Sequence, residues 1–157
     1  MKFALLAVAL TLSVTSCKKK DNNEETTETT HSVANNDQQI QDYLAKNNLT
    51  AKKTDSGLYY VITEEGTGAQ PTAESNVTVA YKGYFTDGNV FDQSGAEGIS
   101  FGLGQVIPGW TEGITYFKEG GKGMLLIPSD LGYGSEDRGP IPGNSVLIFD
   151  IHLIKVD

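Results

Sequence analysis

Apolar and polar residues alternate along several short stretches of this chain. Residues 58–63 alternate with period two, with Leu58, Tyr60 and Ile62 on one face, which is typical of a half-buried strand. The same reasoning predicts further strands at 77–81, 124–127 and 145–156. Asp87-Gly88 follows the strand at 77–81 and predicts a hairpin turn.

The spacing changes to that of a helix in two places. Asn36 with Gln39 three residues later resembles a capping box, and Ile40, Tyr43 and Leu44 follow at helical spacing. This predicts a short helix over residues 37–47. Such a helix could serve dimerisation or dock on its own domain, and we favour docking because three apolar residues form too small a stripe for a stable dimer.

A second helix is predicted from Pro108 to the Gly120-Gly121 pair, with Trp110, Ile114 and Phe117 on one face. A long loop rich in Gly and Pro then covers 129–144, a kind of segment often used for binding. Many strands and one amphipathic helix predict an α+β fold, in which a curled antiparallel sheet wraps around that helix. The short N-terminal helix precedes this unit.

The first residues resemble an export signal. Lys2 is followed by an apolar stretch, 3–12, that is too short to span a membrane. Val14-Thr15-Ser16-Cys17 resembles the lipobox of bacterial lipoproteins, where cleavage leaves the cysteine as a lipid-modified N-terminus. An ordinary signal peptide is the alternative, and the lipobox is favoured because Cys17 is the chain's one cysteine.

The composition beyond the cysteine predicts the domain organisation. Residues 18–36 hold almost no apolar side chains, so they cannot bury enough surface to offset their ordering entropy. We therefore predict a signal peptide at 1–16, a polar tether at 17–36 from lipidated Cys17, a short helix with its lead-in at 37–56, and the main domain at 57–157. The predicted location is the bacterial cell envelope, on the periplasmic face of the outer membrane, with the cell surface as the alternative.

The net charge of the chain and the motifs that it lacks argue against several classes of function. Removing residues 1–16 takes away Lys2 and leaves 11 basic against 20 acidic residues, a net charge of −9; this balance argues against a nucleic-acid partner. His31 and His152 have no Cys or His nearby in the sequence, so no metal site is predicted. The chain also lacks a P-loop and a Gly-x-Ser-x-Gly nucleophile elbow.

What remains is a set of aromatic and apolar residues with one carboxylate, which suits a reaction that breaks no covalent bond. The motifs, in order, are Tyr81-x-Gly83, Gly88, Phe91-Asp92-x-Ser94, Phe101, Val106-Ile107-Pro108-Gly109-Trp110, Ile127-Pro128, Tyr133-Gly134, Ile141-Pro142 and Leu147-x-Phe149. From about Gly57 to Val156 this order resembles the FKBP-type peptidyl-prolyl cis–trans isomerase family. The resemblance implies a pocket between sheet and helix, rotation about X-Pro bonds, and no cofactor.

The resemblance also implies roles for individual residues. Trp110 would form the floor under the proline ring, the Ile107 backbone N–H and the Tyr133 hydroxyl would bind substrate carbonyls, and Asp92 would lie at the rim. The remaining expected residues line the walls or extend the apolar surface: Tyr81, Phe91, Val106, Phe149, Ile99, Phe101, Ile141 and Leu147. Taken singly, each aromatic residue also fits an ordinary core position.

The implied partners are proline-containing polypeptides and macrolide inhibitors, with the membrane reached only through the lipid anchor and the domain monomeric. Two other functions stay open at this point. One is a non-catalytic peptide-binding module or holdase that uses the same cleft, and the other is an interaction protein that acts through its N-terminal helix. Ile99 stands where many relatives carry an aromatic residue, and the loop over 135–139 is charged.

Overall fold

The computed structural model describes residues 27–157, with side chains from residue 35 onward. Helix α1 comes first, and the strands of one sheet follow with a short second helix between them. The elements are α1 (Thr27–Lys46), β1 (Lys52–Lys53), β2 (Tyr59–Glu64), β3 (Asn76–Tyr84), β4 (Val90–Gln93), β5 (Ile99–Gly102), α2 (Pro108–Gly113), β6 (Lys122–Ile127) and β7 (Leu147–Val156). Single 3₁₀ turns occupy Leu103–Gln105, Ile114–Tyr116 and Ser129–Leu131.

The strands form one antiparallel sheet in the order β1-β2-β6-β7-β3-β4, with β5 paired to β3. The pairing register shifts within β2, between Thr78 and Val79, and between Gly83 and Tyr84. Such irregularities bend strands and increase their twist, which curls the sheet. The predicted α+β architecture is confirmed, including the Asp87-Gly88 turn, where Gly88 has a φ of +89° that favours glycine.

Helix α2 lies inside the curl, and its glycines let it approach β6 closely. A Cβ at Gly109 would lie 2.6 Å from Ile127, and one at Gly113 would lie 2.7 Å from Leu125. Trp110 and Ile114 are consequently buried in the main core together with side chains from β3, β6 and β7. Close backbone approach is a use for which glycine is suited.

Helix α2 is shorter than the sequence predicts. It ends at Gly113, continues as one 3₁₀ turn, and gives way to extended backbone at Phe117. Phe117 is still buried as predicted, at 1 % exposure, but it leaves the helix to pack beside Gly123. The Gly120-Gly121 pair therefore lies beyond the helix end.

Helix α1 begins at Thr27, so the predicted start at residue 37 and the capping box at Asn36 were wrong. Asn36 lies within the helix, and its side chain bonds to residues 93 and 108 positions away. A pattern of neighbouring residues could not reveal partners so distant in sequence. Residues 27–36, the second half of the predicted tether, belong to α1. Residues 1–26, including Cys17 and the first half of the tether, lie outside the described part of the chain.

Docking of α1 on its own domain is confirmed for the described side chains. Ile40 is fully buried and Leu44 is 8 % exposed. They pack on the face of the sheet opposite α2, against Tyr59, Tyr84, Leu126, Val146 and Ile148. Strand β2 packs against α1 through Tyr59 and against the main core through Tyr60 and Ile62, and it becomes exposed at Thr63 and Glu64. No helix within residues 27–157 is both long and apolar enough to cross a membrane.

Replacing Ile40 with Ala should lower the free energy of unfolding by about 2–5 kcal/mol, because it leaves a cavity between α1 and the sheet. Chemical denaturation followed by circular dichroism measures this change. Lys46→Ala, on an exposed position of the same helix, is the matched control and should differ from the parent by less than about 0.5 kcal/mol. Equal stability of Ile40→Ala and the parent would contradict the docked position of α1.

Candidate active site

Trp110 forms the floor of a cleft between α2 and the sheet. Three rings surround its indole: Tyr81 from β3 at 5.0 Å, Phe149 from β7 at 5.1 Å, and Phe101 from β5 at 5.3 Å between ring centroids. The Tyr81 and Phe149 rings meet the indole nearly at right angles, at 85° and 84°, a favoured arrangement for aromatic pairs. The floor is thus rigid and apolar.

Gly83 allows a second group of rings to close one wall. Phe91 lies 5.5 Å from Phe149 and 4.9 Å from Phe85, between centroids. A Cβ at Gly83 would lie 2.7 Å from Phe91 and 2.8 Å from Phe149. Any larger residue at position 83 would push these rings apart, so this glycine is required by the wall and not by its own backbone conformation.

The floor and walls enclose a cleft of about 860 Å³, within the range of ligand pockets. Helix α2 is preceded by Val106 and Ile107, which line one side, while the loop 129–144 covers another side with Tyr133 and Ile141. The complete lining is Tyr81, Phe91, Asp92, Ile99, Phe101, Gln105, Val106, Ile107, Trp110, Gly132, Tyr133, Arg138, Pro140, Ile141 and Phe149.

A short hydrogen bond joins Tyr81 to Asp92 in the cleft. The Tyr81 hydroxyl donates to Asp92 Oδ2 at 2.6 Å, and the Gln93 N–H donates to Asp92 Oδ1 at 2.9 Å. Burial, followed by the bond to Asp92 and the negative charge of that carboxylate, raises the pKa of Tyr81 to about 12. Tyr81 is therefore a neutral phenol at physiological pH, and its hydroxyl proton is donated in the hydrogen bond to Asp92.

Donors in the cleft come from the backbone and the loop. Ile107 precedes α2, and its carbonyl accepts from the Trp110 and Thr111 N–H groups at 2.9 and 3.1 Å. Its own N–H donates to no acceptor among the described residues. Tyr133 is 38 % exposed, and the guanidinium of Arg138 lies 5.7 Å from its ring centroid. The cleft thus holds an available N–H, an exposed hydroxyl and one cation.

Comparison with known proteins places this arrangement in a family. A sequence model described as FKBP-type peptidyl-prolyl cis-trans isomerase matches residues 67–154, which is more than half of the chain. The chain belongs to the FKBP-type peptidyl-prolyl cis–trans isomerase family.

Curated relatives in this family include bacterial proteins named FkpA. The chain is 50 % identical over 108 residues to a probable FKBP-type isomerase FkpA of Neisseria meningitidis, covering 67 % of this chain and 40 % of that protein. It is 44 % identical over 126 residues to FkpA of Aeromonas hydrophila, covering 78 % and 47 %. The chain thus spans less than half the length of these relatives.

Solved structures agree with the fold. The crystal structure of FkpA from Escherichia coli matches with a TM-score of 0.71 at 40 % identity, covering 82 % of this chain and 62 % of that one. A peptidyl-prolyl cis–trans isomerase from Pseudomonas syringae matches with a TM-score of 0.72 at 35 % identity, covering 82 % and 96 %. The second likeness extends over nearly the whole of a solved member of the family.

The structure brings together eleven of the twelve residues that the sequence places at the FKBP-type site. Leu147 is the exception: it is fully buried and absent from the cleft lining. It lies under Gly132, whose Cβ would be 3.1 Å from the leucine Cδ1. Leu147 therefore supports the base of the long loop from below and does not reach the cleft.

Four lining residues were not predicted: Gln105, Gly132, Arg138 and Pro140. Three of them belong to the long loop, whose path depends on contacts outside it. The charged stretch 135–139 was a signal for Arg138, because a cation beside exposed aromatic residues often stacks on one of them. Gln105 offered a weaker signal, as the residue directly before Val106.

Within the described part of the chain, His, Cys, Asp and Glu side chains form no group of three that could hold a metal ion. Cys17 lies outside that part. The Trp110 indole N–H is buried and has no hydrogen-bond partner among the described residues. A buried unpaired donor costs about 1–3 kcal/mol.

Titration of Tyr81 should give a pKa of about 12, against 10.0 for an ordinary tyrosine. Because the pKa is raised on folding, this group's contribution to stability is complete below pH 10 and is lost as the pH rises towards 12. Asp92→Asn should lower the pKa of Tyr81 only part of the way to 10, since burial, the largest cause, remains. NMR of ¹³C-labelled tyrosine measures both values.

The control for this titration is Asp87→Asn, which removes a carboxylate from the β3–β4 turn and should leave the Tyr81 titration unchanged. A parent protein whose Tyr81 ionises at the ordinary pH would contradict the hydrogen bond to Asp92 and the burial of the phenol.

Proposed function

We propose that this chain is a peptidyl-prolyl cis–trans isomerase that accelerates rotation about X-Pro bonds in proteins folding outside the cytoplasm. The observation that carries the proposal is the aromatic cleft over Trp110, in which the available donors are the Ile107 N–H and the Tyr133 hydroxyl. A nucleophile paired with a general base is missing from the cleft lining. This equipment suits bond rotation better than bond cleavage.

The energy that such a site must supply is modest. Resonance holds the peptide bond planar with a barrier of about 18–20 kcal/mol, and X-Pro bonds interconvert over tens to hundreds of seconds. A thousandfold acceleration requires about 4 kcal/mol of barrier lowering. One preorganised donor in a dry site contributes about 3–4 kcal/mol, so shape and one or two donors suffice.

The proposed roles follow from the positions of the side chains. The proline ring would lie on Trp110, between the walls formed by Tyr81, Phe91 and Phe149. The Ile107 N–H would bind a substrate carbonyl on one side, and the Tyr133 hydroxyl would bind another from the loop. Tyr81 would serve as a wall and not as a donor, because its proton already belongs to the bond with Asp92.

The outer part of the cleft would contact the substrate residues that flank the proline. Val106, Phe101 and Ile141 line the cleft beside the floor, and Ile99 stands at its rim with 47 % exposure. An aliphatic residue at position 99 leaves this side of the cleft open. Proline-containing polypeptides are the proposed substrates, and macrolides are proposed inhibitors of the same cleft.

The cell envelope is the proposed location, with the chain anchored through lipid on Cys17 and the domain monomeric. Support comes from the lipobox-like residues 14–17 and the polar stretch that follows. A domain tethered in this way would meet proteins as they fold after export. The periplasmic face of the outer membrane is the favoured site, and the cell surface is the alternative.

Exposed apolar residues at the rim favour one second function. Ile99 is 47 % exposed and Tyr133 is 38 % exposed, so the cleft opens onto a partly apolar surface. Such a surface could hold unfolded segments without turnover, as a peptide-binding module or holdase does.

The isomerase proposal predicts that the soluble chain from residue 18 accelerates isomerisation of an Ala-Leu-Pro-Phe peptide in a protease-coupled assay. Phe91→Ala should lower kcat/KM about tenfold or more, because it removes a wall of the cleft. Asp92→Leu should also lower it, by releasing the Tyr81 hydroxyl. Circular dichroism checks that each variant remains folded.

Val90→Ala is the matched control, since Val90 lies beside Phe91 on the same strand but is 46 % exposed and outside the cleft. Its activity should equal that of the parent. A folded parent without activity would refute the isomerase, and holdase activity unchanged by Phe91→Ala would then support the binding module.

The anchor proposal predicts that the full chain, expressed in bacteria, incorporates labelled palmitate and remains in the membrane fraction. Cys17→Ser should abolish labelling, because the thiol that would carry the lipid is gone. Ser16→Ala keeps a small residue before the cysteine and should be labelled like the parent. Labelling that persists in Cys17→Ser would overturn the anchor.

A further inference from the structure

The long loop over residues 129–144 carries a large share of the cleft but has little regular structure of its own. Tyr133, Arg138 and Ile141 all reach the cleft from it. Its tip is stabilised locally, since Arg138 and Ile141 exchange backbone hydrogen bonds of 2.7 and 3.1 Å. Ordering each residue costs about 1–2 kcal/mol of backbone entropy, so the position of the whole loop over Trp110 also depends on contacts between the loop and the rest of the domain.

Both ends of this loop are held by one side chain from α1. Asn36 Oδ1 accepts the Ser129 N–H at 2.8 Å, and Asn36 Nδ2 donates to the Asn144 carbonyl at 3.0 Å. Asn36 is 1 % exposed. Buried polar groups with satisfied hydrogen bonds rigidify the surrounding chain and help to specify one arrangement of it.

The bonds of Asn36 complete a ring of hydrogen bonds at the base of the loop. The Asn144 N–H donates to the Gly134 carbonyl at 2.8 Å, and the Gly134 N–H donates to the Ser129 carbonyl at 2.8 Å. Gly134 directly follows Tyr133. The ring therefore connects Asn36 to the backbone next to the hydroxyl that would bind substrate.

Asparagine suits this position for a chemical reason. The site needs one acceptor and one donor, held side by side and without charge, which a primary amide provides. Alanine would leave the Ser129 N–H and the Asn144 carbonyl without these partners. The Ser129 hydroxyl has no hydrogen-bond partner among the described residues, but it belongs to the loop, so a bond from it would not connect the loop to α1.

We propose that Asn36 is a positioning residue for the substrate cleft, and that α1 belongs to the isomerase unit through it. The residue touches no part of the cleft and acts by holding the two ends of the loop in register. This inference rests on the proposed function. It assigns the N-terminal helix, which docks on the sheet, a further role in substrate binding.

The test compares Asn36→Ala with Ile40→Ala in the full chain purified in detergent. Both residues are buried on α1, but only Asn36 bonds to the loop. We expect Asn36→Ala to lower kcat/KM about tenfold, mainly through KM, because binding by the loop is lost while the floor is unchanged. Ile40→Ala should change kcat/KM less than twofold in conditions where both variants are folded.

Hydrogen exchange followed by mass spectrometry is the second readout. Peptides covering 129–144 should exchange at least tenfold faster in Asn36→Ala than in Ile40→Ala. Asn36→Leu fills the same space without the amide, and it should reproduce both effects if Asn36→Ala fails to fold.

The outcomes separate this inference from the proposed function. Equal activity of Asn36→Ala and Ile40→Ala, or unchanged exchange in 129–144, would overturn the positioning role. If the parent chain has no isomerase activity, the proposed function fails. In that case, hydrogen exchange in 129–144 and the affinity for a Leu-Pro peptide still test the positioning role. If Asn36→Ala does not differ from Ile40→Ala in one of these two measurements, the positioning role is overturned.

Discussion

The close approach of α2 to strand β6 is the constraint on which the cleft depends. Gly109 and Gly113 lie four residues apart on one face of the helix, and a methyl group on either would come within 2.7 Å of a β6 side chain. Because both positions lack a side chain, the helix settles into the curl of the sheet. Trp110 then lies among rings from three strands, and the cleft acquires a floor.

The polar groups of the cleft differ in whether the protein itself supplies their hydrogen-bond partners. Asp92 is satisfied by the Tyr81 hydroxyl and a backbone N–H, so its charge is held in place by the protein. The Ile107 N–H, in contrast, has no acceptor in the described part of the chain. In the proposed isomerase, rigid walls and one oriented donor would favour the twisted geometry of a bound peptide, which is what rotation about a single bond requires.

The features that sequence predicts well are those fixed by nearby residues. Alternation gave β2, β3, β6 and β7 but not the short strands β1, β4 and β5. Asp87-Gly88 gave the hairpin, and the ordered aromatic motifs gave nearly all of the cleft. The errors arise where distant contacts decide. Asn36 looks like a helix cap but bonds to the loop, and Leu147 belongs to a site motif but packs beneath Gly132. Neighbouring residues carry no information on either contact.

The two faces of the sheet are coupled because single strands serve both. In β7, Ile148 packs under α1 while Phe149 lines the cleft. In β3, Tyr84 is buried on the α1 side and donates to Asp150 at 3.0 Å, whereas its neighbour Gly83 admits the rings of Phe91 and Phe149 on the other side. Adjacent residues of a strand share one backbone and point to opposite faces, so the residues that bury α1 and those that line the cleft lie on the same strands. The helix and the cleft therefore belong to one folded unit, even though the sheet separates them.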